Sequence, residues 1–234
     1  MIAIILCGGL GIRLRNVVPD LPKVMAPVNG KPFLEYVIKQ LIKKGIDERD
    51  IILSCGYKSK VIKDYFASQI ICLKEPELLG TGGAIGYIIK ELIKRGLLDL
   101  GDDGCFMVVN GDTFLDIPIA DFKYEHLSNK AQISIAMVKV PDTERFTRLE
   151  IDNNHKITKM IGRGIKDPGF INGGTYIFDK SIMKALPEKG NLEDDVIKPF
   201  IDKGVVYGSI YDTTFLDIGI PESYAEAEKI LCKK

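Results

Sequence analysis

Apolar residues follow two rhythms along this chain, and the change between them divides it near its middle. In the first half, short unbroken apolar runs alternate with stretches of helical period. Ile2–Leu6, Ile51–Cys55, Ile70–Lys74 and Phe106–Asn110 read as strands buried on both faces. Between them, Phe33–Lys44 places Phe33, Leu34, Val37, Ile38, Leu41 and Ile42 on one helical face, and Gly45 stops that helix. Lys58–Phe66 and Ala84–Arg95 read as two further helices. Leu14, Ile38 and Leu41 are expected in the core. In the second half the pattern changes to strict alternation. Gln132–Val140 and Arg148–Ile161 predict antiparallel strands, the latter interrupted by an Asp152-Asn153-Asn154 turn. Thr175–Phe178 and Val205–Tyr211 add strands, and Pro221–Leu231 is a closing helix with proline in its first turn. The expected fold is α/β: a Rossmann-like mixed, mostly parallel sheet sandwiched by helices, with a small antiparallel addition in the C-terminal half.

Composition narrows the function classes. With 234 residues, one domain spanning 1–234 is expected. Lys+Arg and Asp+Glu are both 32, so no basic surplus points to nucleic acid. No stretch reaches bilayer length. The N-terminal apolar run lacks a charged leader, so Leu6-Cys7 is not read as a lipoprotein box. Five scattered cysteines without C-x-x-C spacing predict free thiols in a reducing cytoplasm rather than a zinc site. His126 and His155 sit in polar surroundings and are expected on the surface.

Chemistry gathers where apolar strands break off. The first strand ends at Leu6 and runs into Gly8, Gly9 and Gly11, followed by Arg13 and, a short loop later, Pro22-Lys23. Glycines let main-chain N–H groups approach a phosphate, and the two cations neutralise its charge. No Gly-Lys-Ser/Thr follows, so this is not a Walker loop, and Leu14 stands where a dinucleotide fingerprint needs its third glycine. Asn110-Gly111-Asp112 closes another apolar strand, where open α/β sheets bind ligands, although alone it is an ordinary turn.

The text Leu6-Cys7-Gly8-Gly9-Leu10-Gly11-Ile12-Arg13-Leu14 with Pro22-Lys23 resembles the signature of sugar-1-phosphate nucleotidyltransferases, the nucleotide-sugar pyrophosphorylases. The longer run Pro22-Lys23-Val24-Met25-Ala26-Pro27-Val28 with Gly30-Lys31-Pro32-Phe33-Leu34-Glu35 is similar to that of the D-glycero-α-D-manno-heptose 1-phosphate guanylyltransferases. The resemblance implies a nucleotide-diphospho-sugar transferase fold in which 1–115 mainly holds the nucleotide and 116–234 mainly the sugar phosphate. It implies that Arg13 stabilises the β- and γ-phosphates and that Lys23 bridges the α-phosphate and the sugar phosphate. Asp112, and Asp217 in Leu216-Asp217-Ile218-Gly219, are the implied ligands of Mg²⁺. Leu6, Gly8, Gly9, Gly11, Glu75, Gly80, Thr81 and Gly82 are the implied nucleotide contacts. Gly111, Arg163, Asn172, Gly173 and Glu193 are the implied contacts to the sugar phosphate.

Two positions bear on specificity. A carboxylate at Glu75 offers acceptors to the adjacent N1–H and N2–H₂ donors of guanine, whereas uracil presents one donor; a glutamate bonding backbone N–H groups would look the same. Ile12 stands where relatives usually carry threonine, predicting modestly weaker nucleotide binding. The expected reaction joins GTP and heptose 1-phosphate into a GDP-sugar and pyrophosphate, for surface polysaccharide. Alternatives are another sugar 1-phosphate (mannose, glucose, an aminosugar), a UTP, dTTP or CTP donor, or a silent nucleotide-sugar-binding regulator. The joint presence of Arg13, Lys23, Asp112 and Asp217 argues against the regulator. A homodimer is a possible assembly, and without a hexapeptide repeat no appended acetyltransferase β-helix is expected.

Overall fold

A computed structural model describes residues 1–66 and 69–232. In chain order the strands are β1 (Ala3–Leu6), β2 (Pro27–Val28), β3 (Lys31–Pro32), β4 (Ile51–Cys55), β5 (Ile71–Lys74), β6 (Cys105–Asn110), β7 (Thr113–Leu115), β8 (Ile133–Val140), β9 (Arg148–Ile151), β10 (Ile157–Ile161), β11 (Gly169–Asp179), β12 (Val206–Tyr211) and β13 (Phe215–Asp217). The α-helices are α1 (Phe33–Lys43), α2 (Ser59–Phe66), α3 (Gly80–Lys94), α4 (Ile119–Ser128), α5 (Lys198–Ile201) and α6 (Pro221–Leu231).

β1 lies between β4 and β6 and runs parallel to both, and β4 is followed outward by parallel β5. Beyond β6 the sheet turns antiparallel. The long β11 pairs with β6, β8 and β9, and β10 closes that edge against β9. Alternation along β1 sends Ala3 and Ile5 to one face and Ile4 to the other. Ile5 packs in the cluster that contains Phe33, Leu34 and Val37 of α1, and Ile4 in the one that contains Ile85, Ile88 and Ile89 of α3. Helices therefore cover both faces, which explains why the parallel strands are apolar throughout. The chain leaves β1 in one direction for β4 and later returns on its other side as β6. This order reversal opens a crevice at the carboxyl ends of β1, β4 and β6.

Most expected elements are present, and the hairpin of β9 and β10 turns at Asp152-Asn153-Asn154 as expected: Asp152 Oδ1 accepts from the N–H groups of Asn154 and Lys156. Three differences have physical causes. α3 begins at Gly80 rather than Ala84, because its first N–H groups find partners outside the helix: Gly82 and Gly83 both donate to Gly190 O, at 2.9 and 3.3 Å. β11 begins at Gly169 rather than Thr175, because its first residues pair with β8 and β9. His126, expected at the surface, is buried on the inner face of the unanticipated α4, in line with Ile119 and Phe122. His155 is exposed as expected, and Leu14, Ile38 and Leu41 are core residues.

His126 Nδ1 lies 2.8 Å from Ser134 Oγ, and burial pushes the ring down to about 4, opposed by the charge of Asp179. The folded state thus favours the neutral ring, while the unfolded chain takes up a proton near 6.5. Stability is full above that pH and falls as pH drops towards about 4, by roughly 1.4 kcal/mol per unit. Urea-unfolding midpoints measured from pH 7 to 4 should decline in the wild type and decline less steeply in His126→Gln. Equal slopes would remove the histidine from this account.

Candidate active site

β1, β4 and β6 deliver three segments to the crevice. At the end of β1 the backbone enters the glycine loop, where Gly8 crosses Gly56 at the end of β4 so closely that a Cβ on Gly56 would lie 2.8 Å from Gly8 O. Gly11 has φ +59°, and a Cβ there would come 2.9 Å from Cβ of Lys23. The loop therefore needs glycine at this point to lie against the lysine. Gly9 meets no neighbour on its open side and faces the cleft.

The lysine reaches the end of β6. Lys23 Nζ sits 2.5 Å from Asp112 Oδ2. Gly111, just before it, is buried and donates its N–H to Leu6 O at 3.0 Å, tying the ends of β6 and β1 together. Asp217 arrives from much later in the chain on β13, which pairs with β7 so that Asp217 stands opposite Thr113. Ile218 N–H also donates to Asp112 O at 3.1 Å, so the two aspartates are held side by side. Burial and the Asp112 charge push the Asp217 carboxyl above its ordinary value. Lys23, the Gly219 N–H at 2.7 Å and Arg145 oppose that rise. Two neighbouring, half-buried carboxylates make a place that favours cations.

Three connected cavities form the cleft. A cavity of about 460 Å³ is bounded by Leu6, Gly9, Gly11, Ile12, Arg13, Lys23, Asp112 and Gly219. Ile12 is 65% exposed on this wall, so its side chain faces the space where threonine was missed. The second cavity, of about 400 Å³, shares Leu6, Gly9 and Asp112 and is completed by Gly8, Ser54, Glu75, Leu78, Gly80 and Thr81. Glu75 is buried. Its Oε2 accepts from Leu79 N–H at 3.2 Å, its Oε1 packs against Gly8 and Gly56, and burial raises its carboxyl. Half of the backbone-bonding alternative for Glu75 is therefore realised, and the residue still lines the cavity.

Asn172, Glu193, Arg163 and Arg13 line a third, smaller cavity together with Arg145, Thr147 and Asp217. Asn172 Nδ2 donates to Glu193 Oε1 at 2.9 Å and to Tyr176 Oη at 2.7 Å, and Thr147 Oγ1 donates to Glu193 Oε2 at 2.9 Å. Gly173 is buried within the register shift of β11, where a Cβ would lie 2.8 Å from Ala136 O. Glu193 stands in a π-helical turn, Leu192–Ile197, whose first N–H groups are capped by Asn191 Oδ1. The α3 glycines hold this turn in place. Gly82, expected on the nucleotide, is buried against Asn191 with its N–H given to Gly190 O, and Thr81 Oγ1 accepts from Leu192 N–H at 2.9 Å.

Arg145 was not foreseen, since nothing in the text around it forms a motif. Its guanidinium lies 3.5 Å from Asp217 Oδ1. Tyr57 packs under the Arg15 guanidinium at 5.1 Å. Another cavity, about 200 Å³ between α1 and Phe114, holds none of the expected site residues. The five cysteines are free, and no helix among the described residues is long and apolar enough to cross a membrane.

The chain is similar to known proteins over nearly its whole length. The nucleotidyl transferase family model matches residues 2–234. The D-glycero-alpha-D-manno-heptose 1-phosphate guanylyltransferase of Campylobacter jejuni is 38% identical over 231 residues, covering 96% of this chain and 97% of that protein. The guanylyltransferase of the same name from Aneurinibacillus thermoaerophilus is also 38% identical, over 239 residues, covering 99% and 98%. The crystal structure of HddC from Yersinia pseudotuberculosis complexed with GMP-PN superposes with a TM-score of 0.83 at 35% identity, covering 97% of each chain. Likeness of this extent, joined to a glycine loop and lysine set against paired aspartates, means that the chain belongs to the nucleotidyl transferase family.

Proposed function

We propose that the protein joins GTP and a sugar 1-phosphate, preferably D-glycero-α-D-manno-heptose 1-phosphate, into a GDP-sugar and pyrophosphate. The product would serve surface polysaccharide synthesis (capsule, lipopolysaccharide or S-layer glycan), with the reaction in the cytoplasm. One observation carries the reading: the glycine-loop cavity, the Glu75 cavity and the Asn172–Glu193 cavity share walls around Lys23, Asp112 and Asp217. Two anionic substrates can lie end to end there. The guanylyltransferases similar along nearly the whole chain support GTP and heptose.

In the proposed pose the triphosphate lies in the glycine-loop cavity and the base reaches Glu75. The sugar hydroxyls meet Asn172 and Glu193, whose mutual bonds fix both side chains before the sugar arrives. A phosphate oxygen of the sugar 1-phosphate attacks the α-phosphorus. The new O–P bond forms as the bond to the β-phosphate oxygen breaks, with no protein nucleophile needed. Lys23 sits between the two anions it must bring together. Arg13 lines both the triphosphate and the sugar cavity, so it can follow charge onto the departing pyrophosphate.

Asp112 and Asp217 fit a bound Mg²⁺. They are adjacent and partly desolvated, and Lys23 and Arg145 supply positive charge to them here. No group of three His, Cys, Asp or Glu able to hold a metal occurs among the described residues. The protein would then contribute two ligands, a number that suits Mg²⁺ held together with phosphate oxygens and water. When bound, the ion supplies charge neutralisation and alignment of the phosphates.

Pyrophosphate release, followed with Mg²⁺, each nucleoside triphosphate and a panel of sugar 1-phosphates, should be fastest for GTP with heptose 1-phosphate. Lys23→Ala should lower it by about 100-fold or more, the scale of losing one charged transition-state contact, and chelation should abolish it. If no pair exceeds the Lys23→Ala control, the reading fails. Glu75→Gln should narrow the preference for GTP over UTP by about tenfold, as expected for a hydrogen bond to a charged group. Undiminished discrimination would assign Glu75 to holding the Leu79 turn alone.

A further inference from the structure

Charge balances over the whole chain, 32 basic against 32 acidic residues, yet one hollow away from the cleft is lined by a single sign. It lies at the outer edge of the large sheet, where β5 is the last strand, between α2 and the end of α3. Lys60 and Lys63 of α2, Lys74 of β5 and Arg95 just past α3 all line it, around a space of about 400 Å³. No acidic residue stands on its wall. Lys60 is paired with Asp64 at 2.5 Å and Arg95 with Glu91 at 3.1 Å, each along its own exposed helical surface. Lys63 and Lys74 have no ion pair among the described residues. Like charges held around a concave wall focus their field on an incoming anion.

Other features of the wall add to that field. Ser59 and Lys60 belong to the first turn of α2, the end of a helix that carries partial positive charge, and the hydroxyls of Ser59 and Tyr87 add donors. Cys72, half-buried on the same wall, senses the result. A hydrogen bond from Cys55 and the charge of Lys63 lower its thiol below the ordinary value, against the effect of burial. The hollow is separate from the cleft. Alternation along β4 sends Ser54 to the cavity of Glu75 and Cys55 to this hollow, and the two spaces share no lining residue.

We propose that this hollow binds a small phosphate anion, a diphosphate group either free or carried on a nucleoside, at a site distinct from the cleft. Four cations suit the several charges of a diphosphate better than the single charge of a carboxylate. The lysines act as point charges, and the Arg95 fork can engage two phosphate oxygens at once. The inference does not depend on the guanylyl-transfer reading.

The test follows alkylation of Cys72 by iodoacetamide, a neutral reagent, through mass spectrometry of its peptide. Inorganic pyrophosphate or GDP is added at constant ionic strength. Both should slow the reaction at Cys72 saturably, and the lower half-protecting concentration shows whether the nucleoside adds contacts. In the Lys63→Gln/Lys74→Gln variant that concentration should rise about tenfold, the scale of losing a hydrogen bond to a charged group. Protection is read against each protein's own unprotected rate, because Lys63 also tunes the thiol. Both substituted residues are exposed, so the melting temperature should stay that of the wild type. Calorimetric titration of pyrophosphate makes the same comparison without the thiol, and the wild type should bind one anion more than the variant. A Cys72 rate that neither anion slows, protection that persists in the variant, or equal stoichiometry in the two proteins would overturn the proposal.

Discussion

The cleft depends on one constraint: two half-buried aspartates more than a hundred positions apart in the sequence must stand together. The short ladder of β7 against β13 enforces it, with Asp217 opposite Thr113 and Ile218 N–H bonded to Asp112 O. Side by side, the carboxylates repel, and burial raises the protonation preference of Asp217. The fold answers by placing Lys23 on Asp112 and Arg145 near Asp217. The rest of the site follows from that balance. Lys23 is held against the glycine loop and Arg145 stands 5.2 Å from the Phe146 ring, and the proposed Mg²⁺ and phosphates would exchange partners with these groups.

Close backbone approach prepares the other walls. Gly8 and Gly56 let β1 and β4 converge on Glu75, and the α3 glycines let the 187–191 loop lie on the helix. Through Gly190 O and Thr81 Oγ1, the start of α3 positions the turn that carries Glu193. The segment lining the Glu75 cavity is therefore bonded to the segment lining the sugar cavity. Precise placement of both substrates before reaction is the condition under which an in-line displacement needs little more than charge and alignment from the protein.

How much of this the sequence disclosed follows from how local each feature is. The glycine loop and Asp112 lie at the ends of strongly apolar strands, Lys23 follows a short loop later, and their text carries the chemistry. The parallel strands and α1 were equally plain, since continuous apolar runs and a one-sided stripe have few other readings. Features made by distant contacts were not legible. Arg145 acquires its role from Asp217, 72 positions away. Gly82 reads as part of a nucleotide loop but lies buried against Asn191. Three-residue strands such as β7 and β13 are too short to show a period. His126 looked exposed because its neighbours in sequence are polar, whereas α4 turns it inward.

If both substrates occupy one cleft together and react directly, the nucleotide never passes through a bond to the protein. The stereochemistry at the α-phosphorus tests that most directly, using a GTP analogue with sulfur in place of one α-phosphate oxygen and of known configuration. A single in-line displacement inverts the configuration in the GDP-sugar product, and inversion is the predicted result. Retention would require two displacements through a covalent nucleotidyl-enzyme and would contradict the account.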